Sequence, residues 1–469
     1  MILSKEKLFA SVPEVKNTEA IRRQIKDIVY NNNSVIAVLD DDPTGIQTVH
    51  GINVYINMDK ADIDSAVKNE KIFYIQTNTR GMIDTDCEKA DRSLTEKLCA
   101  AASKYGKELH IISRGDSTLR GHYPLETDVI RRTFIECQSR DFDGEIIAPC
   151  FFEGGRYTYE DIHYVADGDI LTPAGRTEFA KDTTFSYKNS DLKEYVKEKC
   201  GADAHSISIP LEMLRAQDIE GVEKILLNCK NYTRVILNAI CYEDIEVFVL
   251  ALLKAQAKGK RFLYRTAAAF VRVFGGIDYK EPLSHNDFMA ITGGGKKGIV
   301  VVGSHVKKTT MQLNKLLTHP LCVPVELDAN EMIKDTYLAE LTKKRDITMD
   351  IYSGGKLPVV FTSRAVLSSD SKMDSLKLST TISNRFTEFI DMLNITPDFF
   401  IAKGGITSSD MATKACRITK AKVEGQALPG IPVIKAGEDS RWPGLLYIIF
   451  PGNVGGESAL YDAVQKILE

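Results

Sequence analysis

No C-x-x-C pair occurs among the nine cysteines of this 469-residue chain, so neither a zinc ribbon nor a dithiol redox motif is suggested. Several of the thiols sit in apolar runs, where reduced cysteine packs as a small hydrophobe. A reducing, cytoplasmic setting is expected on that ground. No run approaches the ~18 apolar residues that a membrane helix needs. The opening MILSKEKLFASVPEVKN lacks the long apolar core of a secretory signal, and no membrane partner is expected. Basic charge is not in excess either. The formal net charge is −4, which gives no basic field to hold nucleic acid. An anionic ligand would have to be held by a local cluster. Internal repeats and low-complexity tracts are absent as well.

What is present is strand–helix alternation. Short β-rich apolar runs occur at 34–40, 71–76, 108–113, 144–149, 233–239, 298–303, 321–326, 357–362, 398–403 and 445–450. Amphipathic helical segments fall at 17–31, 86–104, 190–199, 217–229, 242–258, 307–318, 373–394, 407–418 and 456–468. This alternation predicts α/β architecture with largely parallel central sheets flanked by helices. The length exceeds one comfortable core, so two α/β domains are expected. The boundary is placed in DYKEPLSHNDFMAITGGGKKG (277–297), which reads as loop chemistry throughout. The expected domains are therefore 1–280 and 281–469. GGGKK lacks the Walker spacing and precedes its strand instead of following it, so it reads as a flexible connector.

In open α/β sheets, ligands bind beyond the carboxyl ends of the strands. The first such end is SVIAVLDDDPTG (34–45), with three consecutive carboxylates. Read as Asp-x-Asp-x-Thr, it resembles the nucleophile loop of the haloacid-dehalogenase phosphatases, with Asp40 as nucleophile and Asp42 as acid/base. Read as Asp41-Asp42-Pro43-Thr44-Gly45, it resembles the opening of a sugar-acid kinase. TNTRG (77–81) adds Arg80. SRGDSTLRG (113–121) adds Arg114, Asp116, Ser117, Thr118 and Arg120 within one strand end. Guanidinium groups hold carboxylates bidentately, while carboxylates and hydroxyls suit a polyol. Together these side chains fit a small hydroxy-acid. Gly154-Gly155-Arg156 offers a further anion-binding turn.

Three glycine-containing turns follow strands of the second half. They hold Gly303, Ser304 and His305; Gly404, Gly405, Thr407 and Ser408; and Gly452, Asn453, Gly455 and Gly456. Glycine lets backbone amides approach a phosphate, and three such turns on one sheet predict a nucleotide site. Lys307, Lys308 and Lys403 lie near enough in sequence to offset phosphate charge.

DDPTG (41–45), DSTLRG (116–121), GGRYT (154–158), KGGITSSD (403–410) and PGNVGG (451–456) occur in an order and rough spacing that resemble the four-carbon acid sugar kinases. The resemblance spans nearly the whole chain. It implies ATP-dependent phosphorylation of threonate, erythronate or an oxo-tetronate, with the acid on the N-terminal domain and ATP on the C-terminal one. It puts Asp41, Asp42, Arg80, Arg114, Asp116 and Arg120 at the substrate, with Asp41 or Asp42 as the base. Ser304, Gly404, Gly405, Ile406, Thr407 and Gly452 fall around the nucleotide. Mg2+ would accompany ATP, with its protein ligands left open. A homodimer is expected only from the habits of soluble enzymes. Phe450-Pro451 stands where relatives often carry a lysine before the last glycine turn, which leaves a non-catalytic acid-sugar-binding protein as one alternative. The phosphatase is the other. It also needs a downstream lysine, a role Lys403 could play, and a later acidic pair after a strand, which PGNVGG does not offer.

Overall fold

A computed structural model describes residues 3–57, 62–304, 306–363, 372–452 and 454–469. Every strand expected from an apolar run forms, within two residues at either end. The chain divides into two compact units, Met1–Val49 with Asp62–Tyr279, and His50–Ala61 with Lys280–Glu469. Among the described residues no helix is long and apolar enough to cross a membrane.

The main sheet of the first unit runs in the order Ser206–Ile209, Thr233–Leu237, Gly144–Ala148, Phe262–Thr266, Glu108–Arg114, Ser34–Asp40, Ile72–Gln76, with every neighbouring pair parallel. Its central strands are buried along their whole length. This is why they read as continuous apolar runs and not as alternating ones. Register then sets the site: Asp40 pairs with both Gln76 and Arg114, and Thr266 pairs with both Arg114 and Ala148. The residues that end these strands therefore lie in one row. A small antiparallel sheet of Leu3–Ser4, Ile170–Pro173, Ile162–Asp167 and Arg156–Tyr159 belongs to the same unit.

In the second unit the parallel order is Cys322–Leu327, Leu357–Thr362, Gly298–Val302, Phe399–Lys403, Leu446–Phe450. An antiparallel extension follows through Ile431–Ala436, Lys420–Leu428 and Asn53–Tyr55. These last three strands were not anticipated from the sequence, nor were Ser206–Ile209 and Phe262–Thr266 of the first unit. Val302 pairs with Lys403, and Lys403 with Phe450, so the three glycine turns leave the sheet side by side. Helices such as Lys307–Leu316 and Ala459–Leu468 bury their apolar stripe against this core.

One expectation needs correcting. Part of the segment 277–297 is not loop: His285–Thr292 is a helix. Ser284 and Asp287 form a reciprocal capping box at its start, satisfying two backbone donors. Gly293 closes it in the left-handed conformation, so GGGKK begins as a helix terminator.

Candidate functional site

The three aspartates after strand Ser34–Asp40 do not repel one another unopposed. Their carboxylates lie within 4.8 Å of one another, and two arginines are threaded among them. Arg80 grips Asp41 through Nη2 at 2.6 Å and Nε at 3.1 Å, and reaches Asp42 through Nη1 at 2.6 Å. Arg114 Nη1 lies 3.1 Å from Asp40, 3.6 Å from Asp41 and 3.5 Å from Asp42. Backbone bonds lock the turns together, with Asp41 N–H donating to Arg114 O and Thr77 N–H to Asp40 O. Gly45 is required by close approach, because a Cβ there would sit 2.1 Å from an Asp40 carboxylate oxygen.

The three carboxylates differ in access. Side-chain exposure is 2% for Asp40, 1% for Asp41 and 22% for Asp42. Burial pushes Asp40 up to about 8, with Arg114 pulling the other way. Burial also raises Asp41 against the pull of Arg80. For Asp42, burial is outweighed by Arg80, Arg114 and the two donors of Thr44, so it stays below the usual carboxylate range.

The adjoining loop carries Asp116, Ser117, Thr118 and Arg120. Asp116 accepts from Arg120 Nε at 2.6 Å and from the Thr118 hydroxyl. Despite its burial, Arg80 and Arg120 hold it well below the ordinary range. Leu119 takes a positive φ of 68°, an unfavourable conformation for a branched side chain. Three buried donors pin the loop in this shape. His163 Nε2 meets Ser117 O at 2.8 Å, Tyr187 OH donates to Thr118 O at 2.7 Å, and Tyr195 OH to Leu119 O at 3.1 Å. A carbonyl can only accept, so Nε2 carries the proton, and Nδ1 accepts from the Thr158 hydroxyl at 3.0 Å. Burial lowers this imidazole to about 4.

Several of these residues escaped the sequence reading. Arg265, next to last in strand Phe262–Thr266, binds Glu126 at 2.6 Å and Ser113 at 2.8 Å. Glu126 also accepts from Thr79. Gly115 and Gly121 pack on the Arg265 guanidinium so tightly that a Cβ would approach it to 2.4 and 2.9 Å. The signal for Arg265 was the strand-end rule applied to FLYRT. His163, Tyr187 and Tyr195 had no local signal, since each acts on a loop far away in sequence.

Gly155 and Arg156 follow strand Gly144–Ala148. The Gly155 N–H donates to Phe152 O, and its positive φ of 76° explains the glycine. The Arg156 guanidinium bonds Gly154 O, and its Nε is buried with no hydrogen-bond partner. Arg120 and Arg156 lie 5.1 and 5.8 Å from the centroid of the Phe179 ring. Among the described residues no carboxylate pairs with Arg156.

The second unit presents the opposite chemistry. Thr407 packs against Gly303, where a Cβ would meet its hydroxyl at 2.2 Å. Gly404 has a φ of 122°, and a Cβ there would lie 3.1 Å from Ser304 Cβ. The Thr309 hydroxyl reaches Ser304 Oγ at 3.3 Å and Gly452 O at 3.4 Å. Gln312 Nε2 braces the last turn through Val454 O at 3.1 Å and Gly456 O at 2.8 Å. Gly455 takes a positive φ of 81°. Gly405, Ile406 and Thr407 open the helix Gly405–Asp410. The turns of Ser304, Gly404, Thr407 and Gly452 thus lie directly against one another. Asn453, also expected there, lies outside the described residues, as does His305.

Comparison with known proteins agrees with this division of chemistry. Residues 36–274 match the sugar-binding N-terminal domain family, and residues 299–460 match the nucleotide-binding C-terminal domain family. No curated protein matches the chain. Among solved structures, the chain is similar to a Salmonella typhimurium LT2 protein provisionally named a tRNA synthase, at 16% identity and a TM-score of 0.67, over 91% of this chain and 98% of that one. It is also similar to a Haemophilus influenzae protein of the DUF1537 family, at 16% identity and a TM-score of 0.60, over 92% and 100% of the two chains. At that identity the likeness concerns the fold.

Proposed function

Because the chain belongs to the four-carbon acid sugar kinase family, we propose that it transfers the γ-phosphoryl group of ATP to a hydroxyl of a four-carbon sugar acid of the threonate, erythronate or oxo-tetronate type. The observation that carries the acid is Arg156. Arg80, Arg114, Arg120 and Arg265 each face a carboxylate of the protein. Arg156 feels the Asp116 charge but makes no direct ion pair among the described residues, and its Nε is buried unpartnered. A substrate carboxylate completes this group, and a charged hydrogen bond of that kind is worth about 1.5–3 kcal/mol. Asp116, Ser117 and Thr118 then offer acceptors and hydroxyls to the polyol.

Asp42 is the base in this reading. It is the most exposed of the three aspartates and stays ionised, so it can accept the proton of the attacking hydroxyl. Asp41, the other candidate, is buried and bidentately bound, and serves by fixing Arg80. The glycine turns around Ser304, Gly404, Gly405, Ile406, Thr407 and Gly452 suit a nucleoside polyphosphate, because glycine lets backbone N–H groups approach phosphate closely. Bound ATP supplies the phosphoryl group, and Mg2+ carried on its phosphates offsets charge. The acidic triplet does not suit a resident Mg2+, since Arg80 and Arg114 ion-pair with its carboxylates and offset the charge a dication would need. A phosphatase reading fails on the same geometry. Asp40 would be its nucleophile, yet it is buried, pushed up to about 8 and covered by Gly45.

The test is ADP release from Mg-ATP with a panel of tetronates. ATP-dependent turnover of one of them is the expected result. Phosphate release from a sugar phosphate without ATP, or an acid-dependent thermal shift with no turnover, would overturn the kinase reading.

A further inference from the structure

Lys403 ends the strand Phe399–Lys403, and its side chain is buried. Its ammonium donates to Pro451 O at 2.6 Å and Gly452 O at 3.1 Å, and lies 4.4 Å from the Phe450 ring centroid. An ammonium has three donors, and two carbonyls take two of them. No carboxylate pairs with it among the described residues. A buried cation without an anion is costly. Burial, with the neighbouring cation Lys308 adding to it, lowers Lys403 to about 7. Lys308, on the helix Lys307–Leu316, is the one charged group felt there among the described residues. The register that pairs Val302, Lys403 and Phe450 places Lys403 between the strands that lead into the Ser304 and Gly452 turns, directly before Gly404.

We propose that the Lys403 ammonium binds a phosphate of the nucleotide, as the buried cation at the point where the Ser304, Gly404 and Gly452 turns meet. This rests on the nucleotide-binding reading of the second unit and goes beyond it by assigning the charge. A merely structural lysine would clamp the 451–452 carbonyls and gain nothing from the ligand. A phosphate-binding lysine becomes fully protonated when the ligand arrives, so binding takes up a proton and weakens as pH rises above about 7.

The experiment is titration calorimetry of Mg-ADP into the full chain between about pH 7 and pH 9, in two buffers of different ionisation enthalpy. The wild type should take up a substantial fraction of one proton near pH 8 and lose up to about tenfold in affinity per pH unit. Lys403→Arg, which stays charged, should bind with no proton uptake and little pH dependence. Lys403→Met should bind at least about tenfold more weakly, with thermal melting checking its fold. If the Met variant does not fold, the wild type and Lys403→Arg still decide the matter. ADP binding by the wild type without proton uptake would overturn the role of Lys403 alone. Absence of ADP binding at every pH would overturn the nucleotide reading and the role together.

Discussion

The two candidate sites solve the handling of anionic ligands in opposite ways. The first unit packs its strand ends with charged side chains and then neutralises nearly all of them internally: Asp40 and Arg114, Asp41 and Arg80, Asp116 and Arg120, Glu126 and Arg265. The second unit keeps its turns almost bare and leaves one buried ammonium among carbonyls. The difference suits the ligands proposed. A small acid with several hydroxyls is distinguished by directed side-chain hydrogen bonds, which must be held rigid. A polyphosphate chain is long and highly charged, and needs close backbone more than shaped polarity. Interlocked ion pairs make the first site rigid, because breaking a buried pair costs about 3–5 kcal/mol.

The sharpest way to break this contrast is to change one carboxylate. Asp42→Asn removes the proposed base and should lower kcat by about 10²–10⁴-fold, while the Kd for ADP stays unchanged. Steady-state kinetics with calorimetry checks both halves, and a matching loss of ADP affinity would blur the division between the sites.

A second effect concerns stability. Burial holds the imidazoles of His110 and His163 down to about 4, against about 6.5 in an unfolded chain. Between those values the unfolded chain binds more protons. The contribution present above about pH 6.5 is therefore lost as pH falls toward about 4. Each imidazole accounts for about 3 kcal/mol over that window. Denaturant midpoints measured at about pH 7.5 and about pH 5 should show the fall, and His163→Gln should reduce it.

Next in size is the proposed acid anchor. Arg156→Gln should raise KM for the sugar acid by about 10–100-fold with little change in kcat, since a hydrogen bond to a charged group is removed. The smallest expected effect lies on the bare side. Gly404→Ala forces a Cβ toward Ser304 at a φ of 122° and should weaken ADP binding by about tenfold. Acid binding, followed by thermal shift with the tetronate alone, should be untouched. If it also weakened, the two sites could not be treated as chemically separate.

Much of this was readable before any coordinates. Buried parallel strands must be apolar on both faces, so Ser34–Asp40 and Phe399–Lys403 announced themselves, and the polar residues following each strand had to lie at one sheet edge. Phe262–Thr266 was missed although it is buried and parallel on both sides, but two other missed strands lie where that signal weakens. Lys420–Leu428 alternates exposed and buried positions with charged residues interleaved. Asn53–Tyr55 is three residues long and pairs with a strand more than 360 positions away. The chain order also hid the excursion of His50–Ala61 into the second unit.

Residue types at strand ends are a local property, and the sequence alone therefore determined the two α/β sheets, the arginine–carboxylate corner and the run of glycine turns. Which of those charges are already spoken for is not local. Arg80 and Arg156 look alike on paper, and only the packed structure shows that one is saturated by aspartates while the other makes no direct ion pair among the described residues. On paper Lys403 is one of three lysines near the glycine turns, and parallel register is what buries it beside Phe450 and Pro451. Pairing and burial depend on distances between residues remote in sequence, and tertiary structure alone decides those.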